Sequence, residues 1–387
     1  MSGHSVLRLF LLVAVSGLLS GCNSSEKDER QVYAAQLHAG PVKSVDFTPD
    51  GNTLISSSDD HLVLLLDAEG LKDIEGSSAI DTQLFFQLNY SPLVSTGGGF
   101  DCVAISPDGT ELAVCDYDEF VGAYIRRFDL TDKASETGMI PTSFWGTRKI
   151  AYSPDGMLLA AANGQQDGLG EVRLFSTKDG SQTACFHDIF GGVYDVAFSE
   201  DGRSVLSASL YDDLQMFGTD GEPRATFDFR THHPLSAAFV PDSDLVVSTG
   251  EDDFTVTSAY RGALHIWSRD GERLHSLQLS KLPMTSLAVA PNGSAVAVAG
   301  EDMLIRVVRL DSFEVSAEIK GHTARINDLA FTPDGRFLAS AGSDNYVYVW
   351  NVSDLTVPIE IFPDAGTDTD TDLDADGGFL EDGGSEK

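Results

Sequence analysis

Residues 321–354 read GHTARINDLAFTPDGRFLASAGSDNYVYVWNVSD, and this stretch decides the fold. It opens with Gly321-His322, continues through a strand-like run from Ile326 to Phe331, and turns at Thr332-Pro333-Asp334-Gly335. A second run, Phe337 to Ala341, turns at Ser343-Asp344-Asn345 into a third, Tyr346 to Trp350. The corner has a local chemical logic. Proline at the second turn position pre-sets φ, aspartate bonds its own backbone, and glycine in fourth place takes the left-handed conformation that launches the return strand.

One such sheet cannot bury its own faces, so the number of copies matters. The corner recurs as Phe47-Thr48-Pro49-Asp50-Gly51, Ile105-Ser106-Pro107-Asp108-Gly109, Tyr152-Ser153-Pro154-Asp155-Gly156, Phe198-Ser199-Glu200-Asp201-Gly202, Phe239-Val240-Pro241-Asp242-Ser243 and Val289-Ala290-Pro291-Asn292-Gly293. With Phe331 to Gly335 that makes seven copies, at a mean period of 47 residues between Gly51 and Gly335. Four-stranded propeller blades repeat at roughly 40–45 residues. The expected architecture is therefore all-β, a seven-bladed β-propeller of four-stranded antiparallel blades.

Within the opening stretch, His322, Ser340, Asp344 and Trp350 keep an order that resembles the WD40 repeat. The resemblance spans about residues 31–362 and implies a structural tetrad, one buried hydrogen-bond chain of imidazole, hydroxyl, carboxylate and indole. The matching positions recur as fold elements, so they are read as structure and not as a Ser/His/Asp catalytic triad. Blade one keeps His38, Ser56 and Asp60 with Leu66 at the tryptophan position. Blade five keeps Ser248, Asp252 and Trp267, with His232 or His233 as its histidine. Blades two, three and four offer Phe128, Phe175 and Phe217 in place of tryptophan, and blade six offers Asp302 with Val298 and Val308. Such rings usually close with an N-terminal strand. Two segments are placed to close this one, Gln31 to Leu37 and Thr356 to Phe362, and the resemblance favours the first.

Residues 1–21 read as a leader. Arg8 ends a short polar opening, Leu9 to Leu19 is apolar but too short for a permanent span, and Leu19-Ser20-Gly21-Cys22 follows. That string resembles the bacterial lipobox, which implies cleavage before Cys22, lipid attachment to it, and a short tether over 22–30. Asn23 after the cysteine points toward an outer-membrane location. The net charge of −35 repels nucleic acid phosphates and anionic headgroups, so no nucleic acid partner is expected, and membrane contact comes through the lipid alone.

In the second corner, if Ile105 faces Leu112, then Cys102 faces Cys115, either as a cross-strand disulfide or as two half-buried thiols. Cys185 has no evident partner. Between blades one and two, residues 70–99 form a long connection in which Leu84-Phe85-Phe86 is the expected outer strand of blade one. The links between second and third strands lengthen over 116–122, 163–170 and 251–262, which in WD40 proteins lie on one rim. They bring Tyr117, Phe120, Phe254, Tyr260 and Arg261 to that rim as candidate partner-binding residues, aromatics and arginine being the usual interface anchors.

The tail, 363–387, is a low-complexity acidic segment with nine acids and one lysine. Asp372, Asp374 and Asp376 resemble the start of a calcium loop, but Gly383 stands where the bidentate glutamate belongs, so no metal is expected there. No cofactor is expected either, since the chain shows no metal set, nucleophile elbow or quinone-cofactor repeat. The expected function is a lipid-anchored envelope platform that holds a protein or peptide of the cell envelope. The alternative is a propeller enzyme or a small-ligand binder using the central channel.

Overall fold

The structure, a computed structural model, describes residues 28–357 apart from 74–92, 95–100, 119–121, 133, 143–145, 167–168, 211–213, 228–231 and 255–258. The chain divides into two units, Met1–Val357 and Pro358–Lys387, and every described residue belongs to the first. The leader, Cys22, the tail and its three aspartates thus lie outside the described residues. Among the described residues no helix is long and apolar enough to cross a membrane.

Seven four-stranded antiparallel sheets make up the fold. A first strand, β1 (Gln31–Gln36), precedes blade one, which is β2 (Val42–Phe47), β3 (Thr53–Ser58), β4 (Leu62–Asp67) and β5 (Leu93–Val94). Blade two is β6 (Val103–Ile105), β7 (Glu111–Asp118), β8 (Gly122–Asp129) and β9 (Ser135–Pro141). Blade three is β10 (Thr147–Tyr152), β11 (Leu158–Gln166), β12 (Leu169–Ser176) and β13 (Gln182–Phe190). Blade four is β14 (Val193–Phe198), β15 (Ser204–Ser209), β16 (Leu214–Gly218) and β17 (Pro223–Phe227). Blade five is β18 (His232–Phe239), β19 (Leu245–Phe254), β20 (Ala259–Ser268) and β21 (Arg273–Gln278). Blade six is β22 (Met284–Val289), β23 (Ala295–Gly300), β24 (Leu304–Arg309) and β25 (Val315–Lys320). Blade seven takes β26 (Ile326–Phe331), β27 (Phe337–Gly342) and β28 (Tyr346–Asn351) from the end of the chain and β1 from its start.

β1 closes the ring, pairing antiparallel with β28 from Gln31↔Trp350 to Gln36↔Tyr346. It buries Val32 and Tyr33 and covers an edge that would otherwise offer a free row of backbone groups. Of the other candidate for closure, only Thr356 and Val357 are described, and residues 358–362 lie outside the described residues. Thr356 is buried, its hydroxyl donates to Gly335 O at 3.0 Å, and its carbonyl accepts from Ser294 Oγ at 2.8 Å.

The corners hold by a pattern more specific than the proline. In the last blade the Thr332 hydroxyl donates to Asp334 Oδ1 at 2.6 Å and accepts from Phe337 N at 3.0 Å, while Gly335 sits at φ +70°. The same hydroxyl-to-aspartate bond, at 2.6 Å, recurs at Thr48, Ser106, Ser153 and Ser199. Ser199 belongs to the corner where Glu200 replaces proline, so the hydroxyl–aspartate pair and the positive φ suffice to make the turn. In blade five, where Ser243 replaces glycine, the positive φ moves to Asp242.

The core lies between neighbouring blades. One cluster joins Val45, Leu54 and Leu66 of blade one to Phe337, Val347 and Val349 of blade seven. Another sets Leu206, Leu214 and Phe227 of blade four against Val246 and Trp267 of blade five, with Phe227 and Trp267 edge to face at 5.9 Å. The outer strand of blade one differs from expectation. β5 pairs Leu93 with Val63 and Val94 with Leu62, filling the place assigned to Leu84-Phe85-Phe86, which lies outside the described residues.

Candidate functional site: the channel and its upper rim

The tetrads fix the geometry of the upper face, the face onto which the loops of His38 and His322 and the turns between second and third strands open. In blade seven, Trp350 Nε1–H donates to Ser340 Oγ at 2.9 Å, and the Ser340 hydroxyl lies 2.8 Å from His322 Nε2. His322 Nδ1 stands 3.0 Å from both Asp344 oxygens, and Asp344 also accepts Thr323 N–H at 2.8 Å. Burial pulls the Asp344 carboxyl up, but the His322 bond and charge outweigh it and hold the carboxyl below its ordinary value. Blade one repeats the pattern with His38 between Ser56 (2.9 Å) and Asp60 (2.9 Å). Burial lowers the pKa of His38 against the pull of Asp60. Ser340 and Ser56 are both fully buried, so these sets tie loops to strands and do not face a substrate.

Blade five is wired differently. Trp267 Nε1–H donates to Ser248 Oγ at 3.0 Å, but the imidazole facing Asp252 belongs to His265, whose Nε2 lies 3.1 Å from Asp252 Oδ1. His232 and His233 sit on β18, and the His265 imidazole reaches Asp252 from a position two residues before the tryptophan. Blade six uses the same position, where Arg306 Nη1 meets Asp302 at 2.7 Å and Nε meets Glu318 at 2.9 Å. In blade two it is Arg126, which contacts Asp116 at 3.6 Å and Glu136 at 2.8 Å. The signal was in the sequence: His265, Arg306 and Arg126 each stand two residues before Trp267, Val308 and Phe128. On a strand that spacing places both side chains on one face.

Inside the ring a cavity of about 440 Å³ is lined by residues from all seven blades. Its walls can be read in layers. Three residues before the end of each first strand stand Ser44, Cys102, Lys149, Asp195, Ser236, Ser286 and Asp328. One residue before that end stand Asp46 and then six alanines, Ala104, Ala151, Ala197, Ala238, Ala288 and Ala330.

A first strand is the inner edge of its blade, so its outward backbone groups need partners. The three aspartates supply them, each to the next blade around the ring. Asp328 accepts Val45 N–H at 3.2 Å, Asp195 accepts Ala237 N–H at 3.0 Å, and Asp46 accepts Ile105 N–H at 3.3 Å. Serines add to this, Ser44 donating to Asp328 at 2.6 Å and Ser236 to Asp195 at 2.7 Å.

A cation reaches this set. Lys149 Nζ reaches across the channel from blade three to Asp328 Oδ1 at 3.0 Å and Oδ2 at 3.2 Å. Enclosure pulls the Lys149 ammonium down, but the charges of Asp328, Asp195 and Asp46 outweigh it and raise its pKa. Enclosure pushes the Asp195 carboxyl up against the pull of Lys149. Enclosure pushes the Asp46 carboxyl to about 7, although Lys149 and two backbone N–H groups work against that. Above this network, Arg148 stacks over the Tyr194 ring at 4.2 Å, and Lys43 pairs with Asp59 at 3.0 Å.

Cys102 and Cys115 are joined as a disulfide, with Cα atoms 5.1 Å apart, in the register that opposes Val103 to Val114.

The lengthened links extend strands more than loops. Pairing continues to Asp118↔Gly122 in blade two, Gln166↔Leu169 in blade three and Phe254↔Ala259 in blade five. The added residues keep their backbone groups satisfied by prolonging the ladder, which a solvent loop could not do. Tyr117 and Arg261 are half-buried on these hairpins, and Arg261 Nη1 donates to Gln278 at 2.7 Å. Phe254 and Tyr260 lie on the strands of the blade-five hairpin, opposite Ala259 and Asp253. Phe120 lies outside the described residues. The sequence reading missed Leu169 and Phe190, Cα partners at the top of blade three that are 41% and 54% exposed.

Comparison with known proteins agrees with this geometry. The family "WD domain, G-beta repeat" matches residues 30–67 and 313–351, which hold the two blades whose loop histidines bridge a serine and an aspartate. The chain is similar to "Apoptotic protease-activating factor 1" of Danio rerio, 25% identical over 75% of this chain and 21% of that protein. It is similar to "Eukaryotic translation initiation factor 3 subunit I" of Drosophila grimshawi, 31% identical over 37% of this chain and 46% of that protein. The Drosophila yakuba protein of the same name is 30% identical over a like share. The chain thus spans less than half the length of each of these relatives. The repeat matches and the seven-bladed ring together support a place in the WD40 propeller family.

Proposed function

We propose that this propeller is a protein-interaction platform whose partner docks on the upper face, and that lipid on Cys22 holds it at a bacterial cell envelope. The observation that carries the docking face is the rise of three extended hairpins on one rim, with the exposed Leu169–Phe190 pair at the tip of one. Exposed apolar side chains on a paired hairpin cost less entropy to bury against a partner than those on an unpaired loop. WD40 propellers generally act through protein partners, and the translation-factor relatives carry the word "subunit" in their name. No catalytic role is assigned to the channel, because Lys149, Asp195 and Asp328 are committed to one another and to the blades' backbone.

The anchor rests on the apolar run Leu9 to Leu19 followed by Leu19-Ser20-Gly21-Cys22, and the outer membrane is the favoured site. Cys22→Ser should move the protein from the membrane to the soluble fraction; a variant that stays with membranes and carries acyl mass overturns the anchor. The docking face is tested by crosslinking in intact cells with a variant that changes Leu169, Phe190, Tyr117, Phe120, Phe254, Tyr260 and Arg261 to alanine. Interface anchors are each worth about 2 kcal/mol or more, so recovery of the parent's partners should fall well over tenfold while the ring stays folded. Undiminished recovery overturns the upper-face reading.

A further inference from the structure

Away from the channel, blade three brings together three side chains of a kind that recur around transition metals. Cys185 and His187 are two apart on β13 and therefore point to the same side of the sheet. On the neighbouring strand, Arg173 is the Cα partner of Cys185, and the register is irregular between Gly170 and Val172. Across that irregularity the single Glu171 faces His187 and Asp188, and Glu171, two residues from Arg173, shares the face of Cys185. Its carboxylate swings toward the cysteine and the histidine.

The resulting triangle is compact. Cys185 Sγ lies 3.7 Å from Glu171 Oε2 and 3.5 Å from His187 Nδ1, and His187 Nδ1 lies 3.5 Å from Glu171 Oε2. A tetrahedral centre with a metal–sulfur bond of about 2.3 Å and metal–nitrogen and metal–oxygen bonds of about 2.0–2.1 Å needs edges of roughly 3.3–3.6 Å. All three ligand atoms therefore stand at nearly the separations that one such ion would require. A neighbouring group sets the carboxylate: Arg173 Nη2 holds Glu171 Oε1 at 2.8 Å, leaving Oε2 as the single oxygen turned to the triangle.

We infer that Glu171, Cys185 and His187 form a binding site for a borderline-soft divalent metal ion of the zinc type. The donor set selects the class. Thiolate and imidazole favour zinc-like ions over calcium or magnesium, which take oxygen ligands. Three protein ligands leave a fourth position, and the His187 side chain, 65% exposed, places it at the solvent side. Cys185 is free for this role, since Cys102 and Cys115 are bonded to each other. The sequence trace of the site is Cys185-Phe186-His187, a two-residue spacing that has meaning only once these residues are on a strand.

The probe is Co²⁺ and Zn²⁺ as simple salts, added under nitrogen to the purified full chain without reductant, so that the Cys102–Cys115 disulfide stays intact. Cobalt should bind at one equivalent and show a thiolate-to-cobalt charge-transfer absorption. Cys185→Ser should abolish that absorption. His187→Ala and Glu171→Gln should each weaken zinc at least tenfold, measured by competition with a chromophoric chelator. Parent-like melting of all three variants separates loss of a ligand from loss of fold. An absorption that persists in Cys185→Ser, or zinc affinity equal in the parent and all three variants, overturns the site.

Discussion

Asp46 is the one acid in a layer otherwise made of alanine, and replacing it with alanine gives a stability change whose sign depends on pH. Its carboxyl is raised from 3.8 to about 7 by enclosure. At about 1.4 kcal/mol per tenfold change, ionising it inside the ring costs on the order of 4 kcal/mol more than ionising it in the unfolded chain. A raised carboxyl means the folded state holds more protons than the unfolded one between these two values. Stability from this group is therefore present at acid pH and is lost as pH rises toward and through 7.

At pH 3, below both values, the neutral carboxyl still pairs with the Ile105 N–H, and Asp46→Ala forfeits that bond, a cost of about 1–2 kcal/mol. At pH 9 the parent bears the charge and the variant does not, so the variant should be the more stable by about 2–3 kcal/mol. Unfolding entropy of about 2.1 cal/mol/K per residue, over roughly 330 residues, converts the full swing of ~4 kcal/mol into about 6 °C. Differential scanning calorimetry of both proteins from pH 3 to 9 should show Tm of the variant, minus that of the parent, rising from negative to positive. A difference that is flat with pH, or that grows in the parent's favour, refutes the assignment of a buried titrating carboxyl.

Other substitutions probe the same architecture. Lys149→Met removes the cross-channel cation from Asp328; a broken buried pair costs about 3–5 kcal/mol, and access of channel water to the lysine lowers this to about 2–3 kcal/mol. The loss should appear as a Tm drop of about 3–4 °C at neutral pH. His265→Leu should destabilise by roughly 1–3 kcal/mol through Asp252, as thermal melting would show. Deleting Gln31–Gln36 should expose the β28 edge and produce aggregation visible by light scattering, while truncation at Asp364 should shift Tm by no more than about 1 °C. Calorimetric titration of Ca²⁺ into the full chain at moderate salt should show no saturable site; saturation at micromolar calcium that Asp374→Ala abolishes would contradict this.

The corners were legible because their chemistry is local: a hydroxyl, an aspartate two residues on and a glycine after it close the turn without help from elsewhere. The strands and the ring followed from counting those corners. The outer strand of blade one was not legible, since β5 has two paired residues and the longest apolar run in the connection is a different one. The histidine of blade five was misplaced for an instructive reason. The loop position was searched for an imidazole by analogy with His38 and His322, yet the turn acid needs only some donor on the same face. His265 reaches Asp252 from within the third strand, as Arg306 reaches Asp302.

The same logic explains why the channel was invisible to motif reading. Its groups come from seven separate strands, and no two of the key residues Asp46, Lys149, Asp195 and Asp328 are near in sequence. Alignment of the repeats against one another recovers it, because equivalent positions of successive first strands must share a height in the ring. At the upper of the two heights, polar residues stand in six of seven blades, and two of them are aspartates that accept an N–H from the next blade. At the lower height, alanine fits six blades and Asp46 supplies the same bond in the seventh. A carboxylate is costly to enclose, and the cost is met in different ways: Asp328 pairs with Lys149, while Asp46 keeps its proton to higher pH. That difference ties ring cohesion to the protonation state of the channel. It also places Lys149, which reaches Asp328 on the far side of the ring, as the residue that keeps the remaining charge tolerable.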